Sequence, residues 1–458
     1  MRPANVTALI RDRLDEQART ARGRCDDIDA LMRADTESVW EQLRAAAPAG
    51  DRKREAAQLR RLSGTPLLRL IVEETAQQMI ADGVSSDSGR DTAAMWAPWE
   101  RNGLPSRQGA LYSAALTYGQ AYILALPGTA PTVEGTAAVL SAYSPKHLHV
   151  VWGDVAEDEW PLYALRTIPQ PHGRAFRLID EDATHFLAED ESGRLEYIEA
   201  RRHGLGVCPV IRYAPSADID GVSVGEPARF KVVAERHQKS THDRLMAQHY
   251  NSWKVRYATG LPEPGSTEED NRQKAALSNP DLLTGGEGVT FGTLAETSLD
   301  GLLRAEQEDL NTLAAVAQKP VWSLSGAQLV NLSADAIAEA RSTERLKVQS
   351  FQRALGQSHA RLLRLASHIE GRTDDAADFG LHVNWQDTEA RSLSQAADAL
   401  GKIASQLGVP AELLWDMIPG VSPTQADMWR RYADEHPDMD ALLAAHLTAQ
   451  DAAGVPDA

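Results

Sequence analysis

Residues 226–253 read EPARFKVVAERHQKSTHDRLMAQHYNSW, and residues 299–320 read LDGLLRAEQEDLNTLAAVAQKP. Both stretches predict helices. Pro227 suits a first helical turn. The second helix should run to about Val316 and stop before Pro320, because a residue that precedes proline disfavours helical geometry. Between the two lies segment 257–298, which is rich in proline and glycine and should hold a short helix and one strand. Two helices that flank such a module predict a hairpin that carries a tip.

A longer helix is predicted downstream of the hairpin. Ser323 to Asn331 is expected to be a loop, and Ser333 suits a helix N-cap. From there to Ile369, apolar residues keep a spacing of three and four. A helix of this length would extend about 55 Å, which favours a spine or an oligomer contact over an ordinary surface helix.

The segment from Gly119 to Tyr213 has a different character and predicts an antiparallel β region. Short stretches rich in β-branched and aromatic residues alternate there with turn residues. Upstream, residues from Val6 to about Gly83 predict helix, followed by a loop over 82–91. One more strand is expected at Leu381 to Trp385, so the fold class is α+β and mostly helical. The predicted strands of the β region are 121–126, 148–152, 162–168, 175–179, 184–187, 195–198 and 207–213.

Chain length and amino-acid composition predict a globular protein of about three domains with a substantial core. The chain has 458 residues, of which 43% are hydrophobic and 24% charged. We expect no membrane partner, because no apolar run of about 18 residues occurs, and no secretory leader. Two cysteines, Cys25 and Cys208, cannot form a disulfide framework and lack metal-ligand spacing, which favours a reducing compartment.

The net charge argues against a protein that grips nucleic acid. The formal charge is −18, and the residues from Gly371 onward carry 15 acidic against 5 basic side chains. Sequestering DNA binders present a basic face, because neutralised phosphates supply most of their non-specific affinity. Acidity is compatible with a surface that DNA slides past, and equally with a surface that only aids solubility.

Gly221-Val-Ser223-Val-Gly225 matches the G-x-S-x-G pattern of serine hydrolases. That motif needs an apolar strand that delivers the serine to a strained turn. Here the preceding residues, 216–220, are polar and turn-like. A serine hydrolase that uses Ser223 is therefore a minor alternative. We expect the motif to be a flexible loop that precedes a helix.

Other candidate sites are weaker. His147 and His149 would share one strand face and could contact one metal, but a third ligand is missing. His237 and His242 are expected at the surface. Because these motifs are weak, we expect no catalytic residue, no metal and no cofactor. No phosphate-binding P-loop occurs. A motor that uses ATP would be another chain.

The stretch Arg229 to Arg256 is basic and allows two interpretations. Lys231, Arg236, Lys239 and Arg244 could bind phosphate. Alternatively they form a solvated face or inter-subunit salt bridges with Glu306, Glu308 and Asp309.

The order of these elements resembles that of siphophage portal proteins. The resemblance covers roughly Leu67 to Asp434, and it rests on several short motifs in a fixed order. These are Trp99-Glu-Arg-Asn-Gly103 with Ala114-Ala-Leu-Thr-Tyr118-Gly-Gln-Ala-Tyr-Ile123, Val207-Cys-Pro-Val-Ile-Arg-Tyr213, Gly225-Glu-Pro with the helix to Trp253, Arg256-Tyr-Ala-Thr-Gly260, Lys319-Pro-Val-Trp322, Asn331-Leu-Ser-Ala-Asp-Ala-Ile337, and Val383-Asn-Trp385-Gln-Asp387.

The resemblance implies a domain order along the chain. It runs from a wing (1–225) through stem helix 1 (226–256), a clip (257–298), stem helix 2 (299–320) and a tunnel loop (321–332) to a long wing helix with the closing strand (333–388), and ends in a crown with an acidic tail (389–458). In the tunnel loop, Ser323, Ser325, Gln328 and Asn331 would touch passing DNA. On the stem, the charged residues would be Lys231, Arg236, Lys239, Arg244, Glu306 and Glu308.

The resemblance also implies a function and partners. Such a protein is a non-enzymatic ring, expected to be a dodecamer, at one capsid vertex of the virion, and it assembles in the host cytoplasm. Double-stranded DNA passes through the ring without sequence-specific contacts during packaging and ejection. The implied protein partners are the terminase large subunit, a head-tail adaptor, the major capsid protein and a scaffold. Another oligomeric virion connector is the remaining alternative.

Overall fold

The computed structural model describes residues 1–34, 52–90, 92–130, 135–252, 256–260, 267–268, 288–293, 297–325, 337, 339–386, 393–418, 420–421 and 423–436. The chain divides into two compact units. The first unit comprises Met1–Asp26, Val72–Glu226 and Arg345–Ala458, and the second comprises Asp27–Ile71 and Pro227–Glu344. Helices and antiparallel sheets coexist, so the α+β class is confirmed. No described helix is long and apolar enough to cross a membrane.

The first unit contains a five-stranded antiparallel sheet whose spatial order follows the chain. Val6, Ile10 and Leu14 pack against one sheet face, where they meet Phe176 and Leu187. Each of these buried side chains contributes about 1.5–3 kcal/mol through removal of apolar surface from water. The N-terminal elements are α1 (Pro3–Leu9), a π-helical turn (Ile10–Leu14) and α2 (Asp15–Met32, which ends in the second unit). The sheet consists of β4 (Leu148–Val151), β5 (Tyr163–Gln170), β6 (Gly173–Ile179), β7 (Ala183–Glu189) and β8 (Leu195–Arg202).

Two smaller sheets complete the β structure of this unit. The first has the order β3-β2-β9, formed by β2 (Ala121–Gly128), β3 (Ala137–Tyr143) and β9 (Val210–Tyr213). The second pairs β1 (Ala81–Ser86) antiparallel with β12 (Leu381–Trp385). All seven strands predicted in the β region are confirmed, as is the strand at 381–385. Strands β1 and β3 were not predicted, and the expected helix to Gly83 and loop over 82–91 are wrong where β1 lies.

Helices of the first unit enclose an aromatic cluster around His359. They are α5 (Ala93–Arg101), α6 (Gln108–Tyr118) and α10 (Ser342–Ile369), the last of which begins three residues inside the second unit. The His359 ring is fully buried, and the hydroxyls of Tyr112 and Tyr213 lie 2.7 and 3.2 Å from its two nitrogens. Burial lowers the pKa of His359 to about 3, so the ring is neutral at pH 7.

The long helix is shorter than predicted. Ile337, Glu339 and Ala340 are helical, but Arg341 is a turn residue, and α10 then runs for 28 residues from Ser342 to Ile369. This corresponds to about 42 Å of continuous helix. The predicted N-cap at Ser333 lies outside the described residues.

The second unit consists of helices around one apolar core and a small two-stranded sheet. Its elements are α3 (Arg52–Ser63), α4 (Leu67–Gln77, which ends in the first unit), α7 (Glu226–Ser252), β10 (Arg256–Thr259), β11 (Thr290–Thr293), α8 (Asp300–Ala317) and α9 (Val321–Ser325). The core joins Leu68 and Ile71 of α4 with Phe230 of α7 and Leu313 of α8. Burial of these four side chains fixes α4 and both hairpin helices to one another.

The described residues of the first unit that follow β12 or lie between α10 and β12 are mostly helical. They form α11 (Thr373–Ala376), α12 (Leu393–Leu407), two 3-10 turns (Ala411–Leu413 and Trp415–Met417) and α13 (Pro423–Glu435).

Candidate functional site

The hairpin predicted from the sequence is present in the second unit and its helices are antiparallel. Arg236 of α7 pairs with Asp309 of α8, with Nε 2.5 Å from Oδ1. Further along α7, Arg244 pairs with Glu306, with Nε 2.5 Å from Oε2. As residue numbers rise along α7 they fall along α8, which fixes the antiparallel register.

Hydrogen bonds continue this register to the end of the hairpin. The Asn251 side chain donates to the carbonyl oxygen of Thr297 at 2.8 Å and accepts from its backbone N–H at 3.1 Å. Beyond it, β10 and β11 pair antiparallel, from Arg256 opposite Thr293 to Thr259 opposite Thr290. The hairpin therefore ends in a two-stranded sheet. The one strand predicted in segment 257–298 is confirmed in the form of β11, whereas β10 was not predicted.

Hydroxyl groups of α7 complete the two ion pairs. The Ser240 hydroxyl donates to the second Asp309 oxygen at 2.6 Å, and the Thr241 hydroxyl lies 3.0 Å from Oε1 of Glu306. Asp309 is buried, so these bonds compensate for the loss of its water contacts. The sequence left open whether the stem charges pair between subunits. For Arg236 and Arg244, the partners belong to the same chain.

The other predicted stem residues also lie on this hairpin. Lys231 pairs with Glu235 one turn along α7, and Lys239 pairs in the same way with Asp243. Glu308 is exposed on α8, and no described cation pairs with its carboxylate. The four predicted cations of the stem therefore already have carboxylate partners.

The expectation that His237 and His242 lie at the surface is wrong. Both rings are buried, although the two residues lie on α7 among polar neighbours. Their burial lowers the pKa of each ring, so both favour the neutral form. Their burial could not be predicted from the local pattern, because a spacing of five places the two residues on different helical faces and only tertiary packing covers both.

The end of α8 is anchored by a buried ion pair. Gln318 adopts a left-handed conformation with φ of 57° and terminates the helix before Pro320, as predicted. The next residue, Lys319, places Nζ 2.5 Å from Oε1 of Glu344, and the two side chains are only 1% and 7% exposed. This pair connects the residues on either side of segment 320–343, and the sequence did not predict it.

The predicted tunnel-loop residues are only partly described. Ser323 and Ser325 lie on the short helix α9, so the expectation of a loop is wrong for these two positions. The Ser323 hydroxyl donates to the carbonyl oxygen of Pro320 at 2.9 Å. Gln328 and Asn331 lie outside the described residues.

The backbone at Ser223 lies close to the backbone at Gly119, and Ser223 does not lie on a nucleophile elbow. Its hydroxyl donates to the carbonyl oxygen of Gly119, and its backbone bridges to Ala217. Gly119 ends α6 with φ of 83°, and a Cβ atom there would lie 2.6 Å from the backbone oxygen of Ser223. The hydroxyl therefore has a structural partner, and the serine is not in the strained left-handed conformation.

The histidine pair and the cysteines do not form a metal site in the described part of the chain. His149 lies in β4, but His147 precedes the strand, so the predicted shared face is wrong. Cys25 and Cys208 are both buried free thiols. In the described ranges no three His, Cys, Asp or Glu side chains cluster closely enough to hold a metal ion.

Comparison with known proteins assigns the family. The family described as "Phage portal protein, SPP1 Gp6-like" matches residues 22–437. A search of curated proteins finds no significant match. Among solved structures, a chain from "Virion of native gene transfer agent (GTA) particle" is 14% identical with a TM-score of 0.47, covering 80% of this chain and 93% of that one. A chain from "Neck of empty GTA particle computed with C6 symmetry" is 16% identical with a TM-score of 0.43, covering 78% and 91%. The family match extends over most of the sequence, and the chain therefore belongs to the SPP1 Gp6-like family of phage portal proteins.

Proposed function

We propose that twelve copies of this chain form a ring at one vertex of a capsid, and that double-stranded DNA passes through the ring during packaging and ejection. The observation that carries the proposal is the family match over residues 22–437. The antiparallel hairpin of α7 and α8 with its two-stranded tip supports it, because the resemblance to portal proteins implies a stem of two helices that carries a small clip.

In this proposal each segment has a role. The hairpin helices line the channel as the stem, and the β10–β11 tip belongs to the clip. The clip binds the terminase large subunit during packaging and a head-tail adaptor afterwards. The first unit provides the wing and, with α12 and α13, the crown. The wing contacts the major capsid protein and the scaffold, and no segment has a catalytic role.

The charge arrangement of the hairpin suits a surface that DNA passes without being held. The stem cations Arg236 and Arg244 already contact carboxylates within the chain. A phosphate that approached them would have to compete with these partners, so little free energy would be gained. The net charge of −18 adds a general repulsion of DNA. Ser323 and Ser325, with Gln328 and Asn331, are uncharged and would touch phosphates only weakly.

Electron microscopy tests the ring itself. Negatively stained particles of the purified protein, alone and after co-expression with its scaffold, should show closed rings with a central opening. Native mass spectrometry should give a mass of twelve chains of 49.9 kDa each. A chain that stays monomeric under both conditions would contradict the proposed function.

A charge substitution tests whether the hairpin faces the DNA. In Glu308→Lys an exposed carboxylate of α8 becomes a cation without a described partner, once per subunit. DNA exit from packaged heads should slow, and the delay should shrink as salt is added, because salt competes for phosphate contacts. The matched control is Glu196→Lys, which changes charge equally at an exposed position of β8 in the first unit. Equal ejection rates for the two variants would contradict a channel-facing hairpin.

A further inference from the structure

Strand β12 has one free edge within the described part of the chain. Its other edge pairs with β1, and the pairing continues at both ends, where Gln386 N–H donates to Ile80 and Gly380 accepts from Asp87. The backbone groups of the even-numbered residues therefore point towards β1. Because backbone direction alternates along a strand, the N–H and C=O groups of Leu381, Val383 and Trp385 point to the opposite edge.

A cleft of about 470 Å³ lies beside β12, and we call it the β12 cleft. Its second wall is one face of helix α10, formed by side chains three and four residues apart. Those side chains are Gln349, Gln352, Arg353 and Gln357, and Gly356 leaves room among them. Its volume is within the range of about 300–1,000 Å³ that is typical of binding clefts.

The lining of the cleft suits an extended polypeptide. Each glutamine amide offers donors and an acceptor and can pair with a peptide group on either side. Val383 and Trp385 add apolar surface on the strand side. A segment placed between these walls would find backbone partners on β12 and amide partners on α10, which is the geometry of strand addition at a sheet edge.

The charge of the cleft differs from that of the whole chain. Arg353 and His382 line it, and no carboxylate does. His382 contacts Asp87 at 2.9 Å, whereas no described carboxylate pairs with Arg353. The chain as a whole has 65 acidic and 47 basic side chains. A second copy of this chain therefore offers the complementary charge.

We propose that an extended segment of a neighbouring copy adds to the free edge of β12 and contacts the glutamine face of α10. The proposal rests on the ring of the proposed function. In such a ring each subunit contacts its neighbours head to tail, so a receiving surface on one copy must meet a different surface on the next. Strand addition makes the contact directional, because an open edge accepts one segment in one register.

Hydrogen exchange read by mass spectrometry tests this contact in the full chain. Assembled rings and free subunits are compared, with fragmentation that resolves single amides. The amides of Leu381, Val383 and Trp385 should exchange at least about tenfold more slowly in rings, because they gain hydrogen-bond partners. The amides of His382 and Asn384, which already face β1, serve as internal controls and should change little.

The outcomes separate this inference from the proposed function. Rings without added protection at these three amides would overturn the β12 contact and leave the ring proposal intact. Protection that appears only after capsid protein is added would overturn the choice of a second copy as occupant. The absence of any oligomer would overturn both.

A variant that fills the cleft gives a second readout. Gln352→Trp places a large ring between the two walls, and the concentration needed for half-maximal ring formation should rise about tenfold or more. The control is Ser350→Trp, which adds the same ring at an exposed position of α10 that does not line the cleft. Thermal unfolding of the free subunit monitors folding of both. Unchanged assembly of folded Gln352→Trp would overturn the proposal.

Discussion

The buried pair Lys319–Glu344 allows a sharp test of how the second unit is held together. Lys319→Met removes the ammonium group and keeps a side chain of similar length. The Glu344 carboxylate, only 7% exposed, then loses its lysine partner in a place with little water. Removal of one partner from such a pair costs about 3–5 kcal/mol. For a unit of this size, the melting temperature should fall by about 2–4 °C per kcal/mol.

Thermal and urea unfolding of the free subunit measure this loss. The double variant Lys319→Met/Glu344→Leu removes both charges together, so most of the lost stability should return. The matched control is Lys402→Met on α12, whose ion pair with Asp398 is 60% and 66% exposed and should contribute less than about 1 kcal/mol. The reasoning is refuted if Lys319→Met costs no more than Lys402→Met, or if the double variant is as unstable as the single one.

Three further predictions concern the first unit. The pKa of His359 is about 3 in the folded state and 6.5 in the unfolded state. Between these values the unfolded state binds more protons, so the free energy of unfolding decreases as the pH is lowered. Between pH 7 and pH 5 the free energy of unfolding, measured by urea titration, should fall by about 2 kcal/mol more in the wild type than in His359→Gln. The same pH dependence in both proteins would contradict this. Gly119→Ala forces a Cβ to within 2.6 Å of the backbone oxygen of Ser223 and should lower the free energy of unfolding by about 2 kcal/mol or more, as measured by thermal unfolding. Gly103→Ala, also at positive φ but with open space around it, should cost only about 1 kcal/mol, and an equal loss would argue against a steric cause. A serine-reactive fluorophosphonate probe should leave Ser223 unlabelled, because its hydroxyl donates to Gly119; labelling that Ser223→Ala abolishes would revive the hydrolase alternative.

Local patterns predicted the elements whose signals lie within one stretch of sequence. The hairpin follows from two helical segments around a module rich in proline and glycine, and Pro320 correctly marked the end of α8. Strands of the β region were predictable because β-branched and aromatic residues alternate with turns. Strand β3 was not predicted, because its sequence, Ala137-Ala-Val-Leu-Ser-Ala-Tyr143, is dominated by small residues with low strand propensity.

Long-range contacts determined what the sequence could not predict. Strand β1 exists only because β12, almost 300 residues away, pairs with it, and its own residues include Asp82, Gly83 and two serines. The partners of Arg236 and Arg244 required the register of the hairpin, which a charge pattern alone does not supply. The burial of His237 and His242 and the Lys319–Glu344 pair likewise depend on which helices cover them. No local pattern distinguishes such residues from solvated ones.

In the proposed channel, the ion pairs of the hairpin would affect how the resistance to DNA movement depends on salt. A cation that binds a phosphate normally releases a condensed counterion, and this release makes protein–DNA contacts steeply sensitive to ionic strength. Arg236 and Arg244 carry their counterions as covalent parts of the same chain, in the form of Asp309 and Glu306. A phosphate would have to displace these carboxylates before it could pair with either cation. If the hairpin lines the channel as proposed, contacts of these two arginines with DNA would contribute little to the salt dependence of DNA movement.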